Sequence, residues 1–307
     1  MLQKSSSGGI LKRIRRLLIL VLTSAVLLPV PSSAQSLPGL EDFLASLPLQ
    51  AAPLSPTPPF RVQPRAYPPA AGLSGERLFQ FLHKATVPTI TRGGTAYLNA
   101  KKYMFSVSDN TGCGGGAGVT GLYSQVCSRG ASEHGEDYKE QGDANGDGYV
   151  DSDGMNAEHS WPQGFFNQAY PMRADLHHVF PTYTKPNNAR GSEPFAAVSI
   201  ASYSTKSGSK LGPEGFEPAN AVKGNIARAI LYFVVRYYDK NIRDGMNYRE
   251  FWSSRVPMFL EWDRQDPPDA RELRRNALIS AYQGNRNPFV DDTTLAPRVG
   301  AAVFQAH

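Results

Sequence analysis

The sequence predicts an α+β domain with a small sheet content, irregular long loops and peripheral helices. Three observations carry that expectation. Short apolar runs near residues 97–110 and 119–126, parted by a glycine-rich stretch, read as strands. From Val222 onward, apolar side chains recur at helical spacing. Further on, Pro267 and Pro268 precede an Asp269…Glu272 helix-start signal.

The chain has 307 residues, and its first segment stands apart from the fold. Lys4, Lys12, Arg13, Arg15 and Arg16 precede the apolar run Leu17 to Val30, and Ser32, Ser33 and Ala34 supply small residues at a cleavage point. Residues 1–34 therefore read as an export signal, with an uncleaved N-terminal anchor as the alternative. These five basic residues account for the whole formal charge of +5, so the remainder holds 27 basic and 27 acidic residues. Global basicity thus gives no reason to expect polyanion binding; any such attraction must come from a local patch. Residues 35–72, rich in Pro and Ala, read as a linker or arm. The domain proper is expected over 73–295, with 296–307 as a C-terminal tail.

Within the domain, Ser74 is placed to cap a helix through Leu78, Phe79, Leu82 and His83, which Pro88 ends. Tyr103, Phe105 and Val107 alternate within Tyr97 to Asn110 and predict a short strand. Gly112 to Gly118 is a loop without the strand and helix that a phosphate-cradling fingerprint requires. Val119 to Val126 predicts a second strand. Ile226, Ile230, Phe233, Val234 and Tyr237 form a helical stripe of the kind that faces a core. Asp269 and Glu272 are expected to form a capping box, and Gly284 to close that helix. The two cysteines, Cys113 and Cys127, both follow the export signal, so a disulfide is the default. Closing a loop of about 15 residues, it contributes on the order of 3 kcal/mol.

Charge is uneven along the chain. Residues 130–160 hold nine acids against Lys139, and residues 204–286 hold 14 basic against 10 acidic side chains. The second stretch offers phosphate contacts or simply a solvated helix surface. In the first, Asp143, Asn145, Asp147, Asp151 and Asp153 place oxygens at alternate positions with Gly148 at the sixth, as at the start of a calcium loop. Position twelve is Gly154, not Glu, so the loop is not a complete EF-hand. A structural calcium is expected there; a solvated acidic turn is the alternative. Glu158 and His159 follow, but no second histidine stands in register for a zinc protease motif. His177 and His178, taken singly, fit hydrogen-bonded structural histidines better than metal ligands.

Together, Glu158-His159-Ser160-Trp161-Pro162-Gln163, then Asp175-Leu176-His177-His178, then Asn187-Asn188-Ala189-Arg190-Gly191 resemble the bacterial endonuclease I family in order and spacing. Leu122-Tyr123-Ser124, Glu261-Trp262 and Asn285-Arg286-Asn287-Pro288-Phe289 extend the resemblance. It implies a ββα-metal (His-Me finger) core and an exported, secreted or periplasmic nuclease. It further implies His159 as general base, Glu158 and Asn187 as ligands of a magnesium or manganese ion, and a single-metal hydrolysis. DNA, with RNA as a second substrate, would be cut with little sequence preference to leave 5′-phosphates. Arg190 and Arg228 are the candidates for phosphate contact; Arg173 stands two before Asp175, where some members of the family have an acid, and the family's catalytic arginine cannot be placed. A monomer without membrane association after signal removal is expected. The rival readings are a non-catalytic extracellular calcium-binding module and a phosphodiesterase acting on other substrates.

Overall fold

The computed structural model describes residues 70–90, 93–113, 116–130 and 133–307. The expected export signal and nearly all of the expected arm lie outside the described residues. Among those residues no helix is long and apolar enough to cross a membrane.

Helix α1 (Gly75–Ala85) buries Leu78, Phe79 and Leu82 on one face. Ser74 takes the extended capping conformation, but its side chain makes no capping hydrogen bond. The expected strand at 97–110 is instead α2 (Ala96–Tyr103), which runs on into one π-turn, Met104–Ser108. Ala96, Ala100 and Met104 are buried four residues apart, a helical period that outweighs the two-residue alternation. Tyr103 stacks on Tyr282, whereas Val107 stays partly exposed. The second expected strand shortens to β1 (Gly118–Thr120), which pairs antiparallel with β2 (Cys127–Arg129). Cys113 and Cys127 form the expected disulfide beside this ribbon. A side chain at Gly118 would meet Cys113 Sγ at 2.9 Å, so the bridge requires glycine there.

Strand β3 (Met155–His159) pairs antiparallel with β4 (Val179–Tyr183), and α3 (Thr184–Arg190) follows directly. All five β4 residues are buried, because its two faces meet two apolar clusters. Val179 and Tyr183 join Met155, Met104, Phe105 and Ile279 on one side, while Phe180 joins the larger cluster on the other. A small antiparallel sheet of β5 (Tyr203–Ser204), β6 (Lys210–Gly212) and β7 (Gly215–Glu217) comes next.

Helix α4 (Lys223–Tyr237) is the axis of the larger cluster, with 13 of its 15 residues buried. The sequence stripe marked one face, but α1 and α6 (Val256–Gln265) both pack on this helix and cover the rest. Between them lies the single turn α5 (Tyr248–Phe251). In α7 (Ala270–Gln283), Asp269 caps by accepting the Glu272 amide at 2.7 Å, and Gly284 closes the helix at φ +81°. The capping box is only half formed, since the Glu272 carboxylate turns to Arg228 instead. Helix α8 (Pro288–Asp291) precedes α9 (Leu295–Val299) and α10 (Ala301–Ala306). Residues 296–307 are thus no tail: Val299 and Phe304 are buried, and His307 stacks on Phe79 at 4.1 Å.

Candidate active site

Two strands and a helix bring Glu158, His159 and Asn187 to one place. Glu158 pairs with Phe180 and His159 with Val179 at the end of β3. The chain then turns away at Ser160, whose amide donates to the His178 carbonyl at 2.9 Å. After β4, α3 carries Asn187 back over β3, and the Asn187 amide donates to Asn156 Oδ1 at 2.5 Å. Glu158, His159, Asn187, Pro162, Gln163 and Arg190 line one open cavity of about 330 Å³.

Glu158 is buried, and its Oε1 accepts from the Tyr123 hydroxyl at 2.7 Å and lies 3.2 Å from Arg190 Nη1. Burial lifts its carboxyl above the usual range, against the lowering effects of Arg190 and the Tyr123 hydroxyl. Neither Glu158 Oε2 nor Asn187 Oδ1 has a hydrogen-bond partner among the described residues. A carboxylate oxygen and an amide oxygen without partners at one cavity are hard donors and suit a hard divalent cation. With so few protein donors, such an ion would keep positions open for water and substrate. Tyr123 is the residue that sequence reasoning left without a role; its Leu122-Tyr123-Ser124 setting marked it only as part of the resemblance.

His159 is oriented by its other ring nitrogen. Nε2 lies 3.0 Å from the Arg173 carbonyl, which can only accept, so Nε2 carries the proton and Nδ1 holds the lone pair. Tyr97, His178 and Phe166 surround the ring. Burial first, then His178, Arg173 and Arg190, push its pKa down to about 3, against the Arg173 carbonyl. The imidazole is therefore neutral across the physiological range.

The two phosphate-contact candidates are engaged elsewhere. Arg190 is buried and donates to the carbonyls of His159, Ser160 and Gly191, so it braces the end of β3 and the Glu158 carboxylate. Arg228 is 0% exposed and pairs with Asp263 at 2.9 Å and with Glu272. Arg190 nonetheless lines the cavity of Glu158 and His159 with its Nε unpartnered, whereas Arg228 is closed in by its two carboxylates. His177 and His178 are structural: Nε2 of His177 faces the Asn285 carbonyl at 3.0 Å, and that of His178 the Met172 carbonyl at 2.7 Å. Asp175 between these segments is buried and accepts from Tyr232, Tyr237, Gln283 and the His177 amide.

The expected calcium loop closes on its own hydrogen bonds. Asp143 accepts from the amides of Gly146, Asp147 and Gly148. Asp147 accepts from the Tyr149 amide and the Tyr203 hydroxyl, Asp151 from the Lys185 amide, and Asp153 is exposed. Glu140, counted in the sequence only among the nine acids of this stretch, organises the turn by accepting from the Asn145 and Asp151 amides. Among the described residues no three His, Cys, Asp or Glu side chains gather as a metal-holding group. The five calcium candidates thus belong to a turn laced by hydrogen bonds, in which Asn145 Oδ1 stays buried without a partner.

The model of the endonuclease I family matches residues 90–294. The chain is 34% identical over 155 residues to an extracellular ribonuclease of Bacillus amyloliquefaciens, covering 47% of this chain and 53% of that protein. An extracellular ribonuclease of Bacillus subtilis (strain 168) is equally similar, with the same coverage. A periplasmic deoxyribonuclease of Aeromonas hydrophila is 31% identical over 131 residues, 39% of this chain and 48% of that one. The chain therefore aligns with about half the length of the relatives it matches.

Proposed function

Since the chain belongs to the endonuclease I family, we propose that it is a secreted or periplasmic endonuclease that hydrolyses phosphodiester bonds of DNA and RNA with little sequence preference. The observation that carries this reading is His159: its Nε2 is held by a carbonyl, leaving Nδ1 as a base beside the oxygens of Glu158 and Asn187. Relatives include both ribonucleases and deoxyribonucleases, which supports breadth toward the sugar.

The two strands and following helix would serve as the ββα-metal core. Glu158 Oε2 and Asn187 Oδ1 would hold a magnesium or manganese ion. Such an ion, when bound, neutralises phosphate charge and stabilises the leaving oxygen. His159 Nδ1 takes a proton from the attacking water as the new P–O bond forms and the P–O3′ bond breaks, leaving a 5′-phosphate. Solvent returns a proton to the departing 3′ oxygen. The Arg173 carbonyl keeps the imidazole in the required tautomer, and Tyr123 and Arg190 hold the Glu158 carboxylate in place.

Plasmid DNA and a structured RNA, incubated with the purified protein and magnesium and then with excess chelator, test the reading. Both polymers should be degraded only with the ion. His159→Ala should cut at least about 100-fold more slowly, the scale of a lost general base, with its circular dichroism unchanged. Near-normal cutting by that folded variant would remove His159 from the role.

A further inference from the structure

Two arginines lie close enough to His159 to weigh on its charge, Arg173 and Arg190. Arg190 is tied down by the carbonyls of His159 and Ser160 and by Glu158, although its Nε, like that of Arg173, is buried without a partner. Arg173 is not tied down. No described residue accepts a hydrogen bond from its side chain or forms an ion pair with it, and its Nε is buried without a partner. Its guanidinium lies over the Tyr97 ring, with Cζ 4.6 Å from the centroid. Lys101 Nζ sits 5.6 Å from the same centroid, also without an ion-pair partner among the described residues. The Tyr97 ring in turn lies 5.6 Å from the His159 ring.

Leaving a buried guanidinium nitrogen unsatisfied is costly, and a planar fork with unmet donors matches a phosphate. The position separates this ledge from the reacting centre. Arg173 and Tyr97 do not line the cavity shared by Glu158, His159 and Asn187. The Arg173 backbone faces Nε2 of the imidazole, the edge away from the basic Nδ1. A cation there rewards only a substrate with a second phosphate beyond the one being cut.

We propose that Arg173, with Lys101 near the same Tyr97 ring, is an anchoring subsite for a neighbouring phosphodiester of a polynucleotide substrate. This rests on the nuclease reading above. It makes the protein a reader of polymers, with small single phosphodiesters as poor substrates.

Affinity for a single-stranded DNA oligonucleotide, measured with excess chelator across a salt series, tests the subsite alongside cleavage kinetics. Arg173→Gln should lower the slope of log affinity against log salt by about one, as for one lost phosphate contact. Its loss in kcat/KM should be about tenfold greater on the oligonucleotide than on a substrate with one phosphodiester. Arg173→Lys should restore the salt slope, which a merely structural role would not do. An unchanged slope, or equal losses on both substrates through kcat, overturns the subsite. Should Arg173→Gln fail to fold, Lys101→Gln carries the same readout: a raised KM for the oligonucleotide supports the ledge and an unchanged KM overturns it. Wild-type protein that cuts no phosphodiester would sink the nuclease reading and the subsite with it, whereas normal wild-type cutting with indifferent variants sinks the subsite alone.

Discussion

Glu158 shows how single residues at this site depend on partners far away in the chain. Its carboxylate is buried and receives the Tyr123 hydroxyl from 35 residues upstream. With Glu158 as the proposed metal ligand, such a partner would orient it and set its basicity, and loss of a partner of this kind commonly costs 10- to 100-fold in metal affinity. Tyr123→Phe should therefore raise the magnesium concentration needed for half-maximal cutting by about tenfold. Titration of activity with magnesium reads this directly; an unchanged midpoint would mean that the hydroxyl only fills space. The Glu158-His159 pair was legible because two reactive side chains stand together in a specific motif. Tyr123 was not, since nothing local to residues 122–124 shows what its hydroxyl meets. The surroundings of Arg190 and Arg228 were illegible for the same reason: sequence does not distinguish an exposed guanidinium from one buried among acceptors.

Between elements, Arg228 is the tie from α4 to α6 and α7. It pairs with Asp263 on α6 and with Glu272 on α7. Burial raises both carboxyls, and Arg228 opposes that rise. Removing one member of a buried ionic group leaves uncompensated charge and costs about 3–5 kcal/mol. Arg228→Met should lower stability on that scale in urea unfolding. A loss of nucleic-acid binding without loss of stability would instead restore Arg228 as a surface contact. The α2 helix teaches a related lesson. Tyr103, Phe105 and Val107 alternate like a strand, yet Ala96, Ala100 and Met104 share the buried face. Alternation over so short a span fits both periods, and the tertiary contacts of Met104 and Tyr103 decide between them.

Across the whole molecule, buried histidines link folding to pH. Burial pushes the pKa of His177 and of His178 down to about 4, with Asp175 and a backbone carbonyl pulling each the other way. In the unfolded chain both titrate near the ordinary histidine value of 6.5. Between these values the unfolded state binds more protons, so stability is complete above about pH 6.5 and falls as pH drops toward about 4. Urea midpoints should decline through that window. His177→Gln should flatten the decline, and a slope equal to that of wild type would show that His177 does not report on folding.

The sequence by itself determined the family, the order of the chemical motifs, the central apolar helix, the disulfide and the Glu158-His159 pair. Each is written in local chemistry: adjacent reactive residues, a 3.6-residue period, or two cysteines with no other partner in the chain. Only the tertiary structure decided which oxygens and nitrogens stay available. It tied Asp143 to backbone amides, paired the buried Arg228 with Asp263 and Glu272, and left the Nε atoms of Arg173 and Arg190 near His159 without partners. The physical reason is that a polar group's availability depends on what the fold places within hydrogen-bond reach, and those neighbours come from distant parts of the chain.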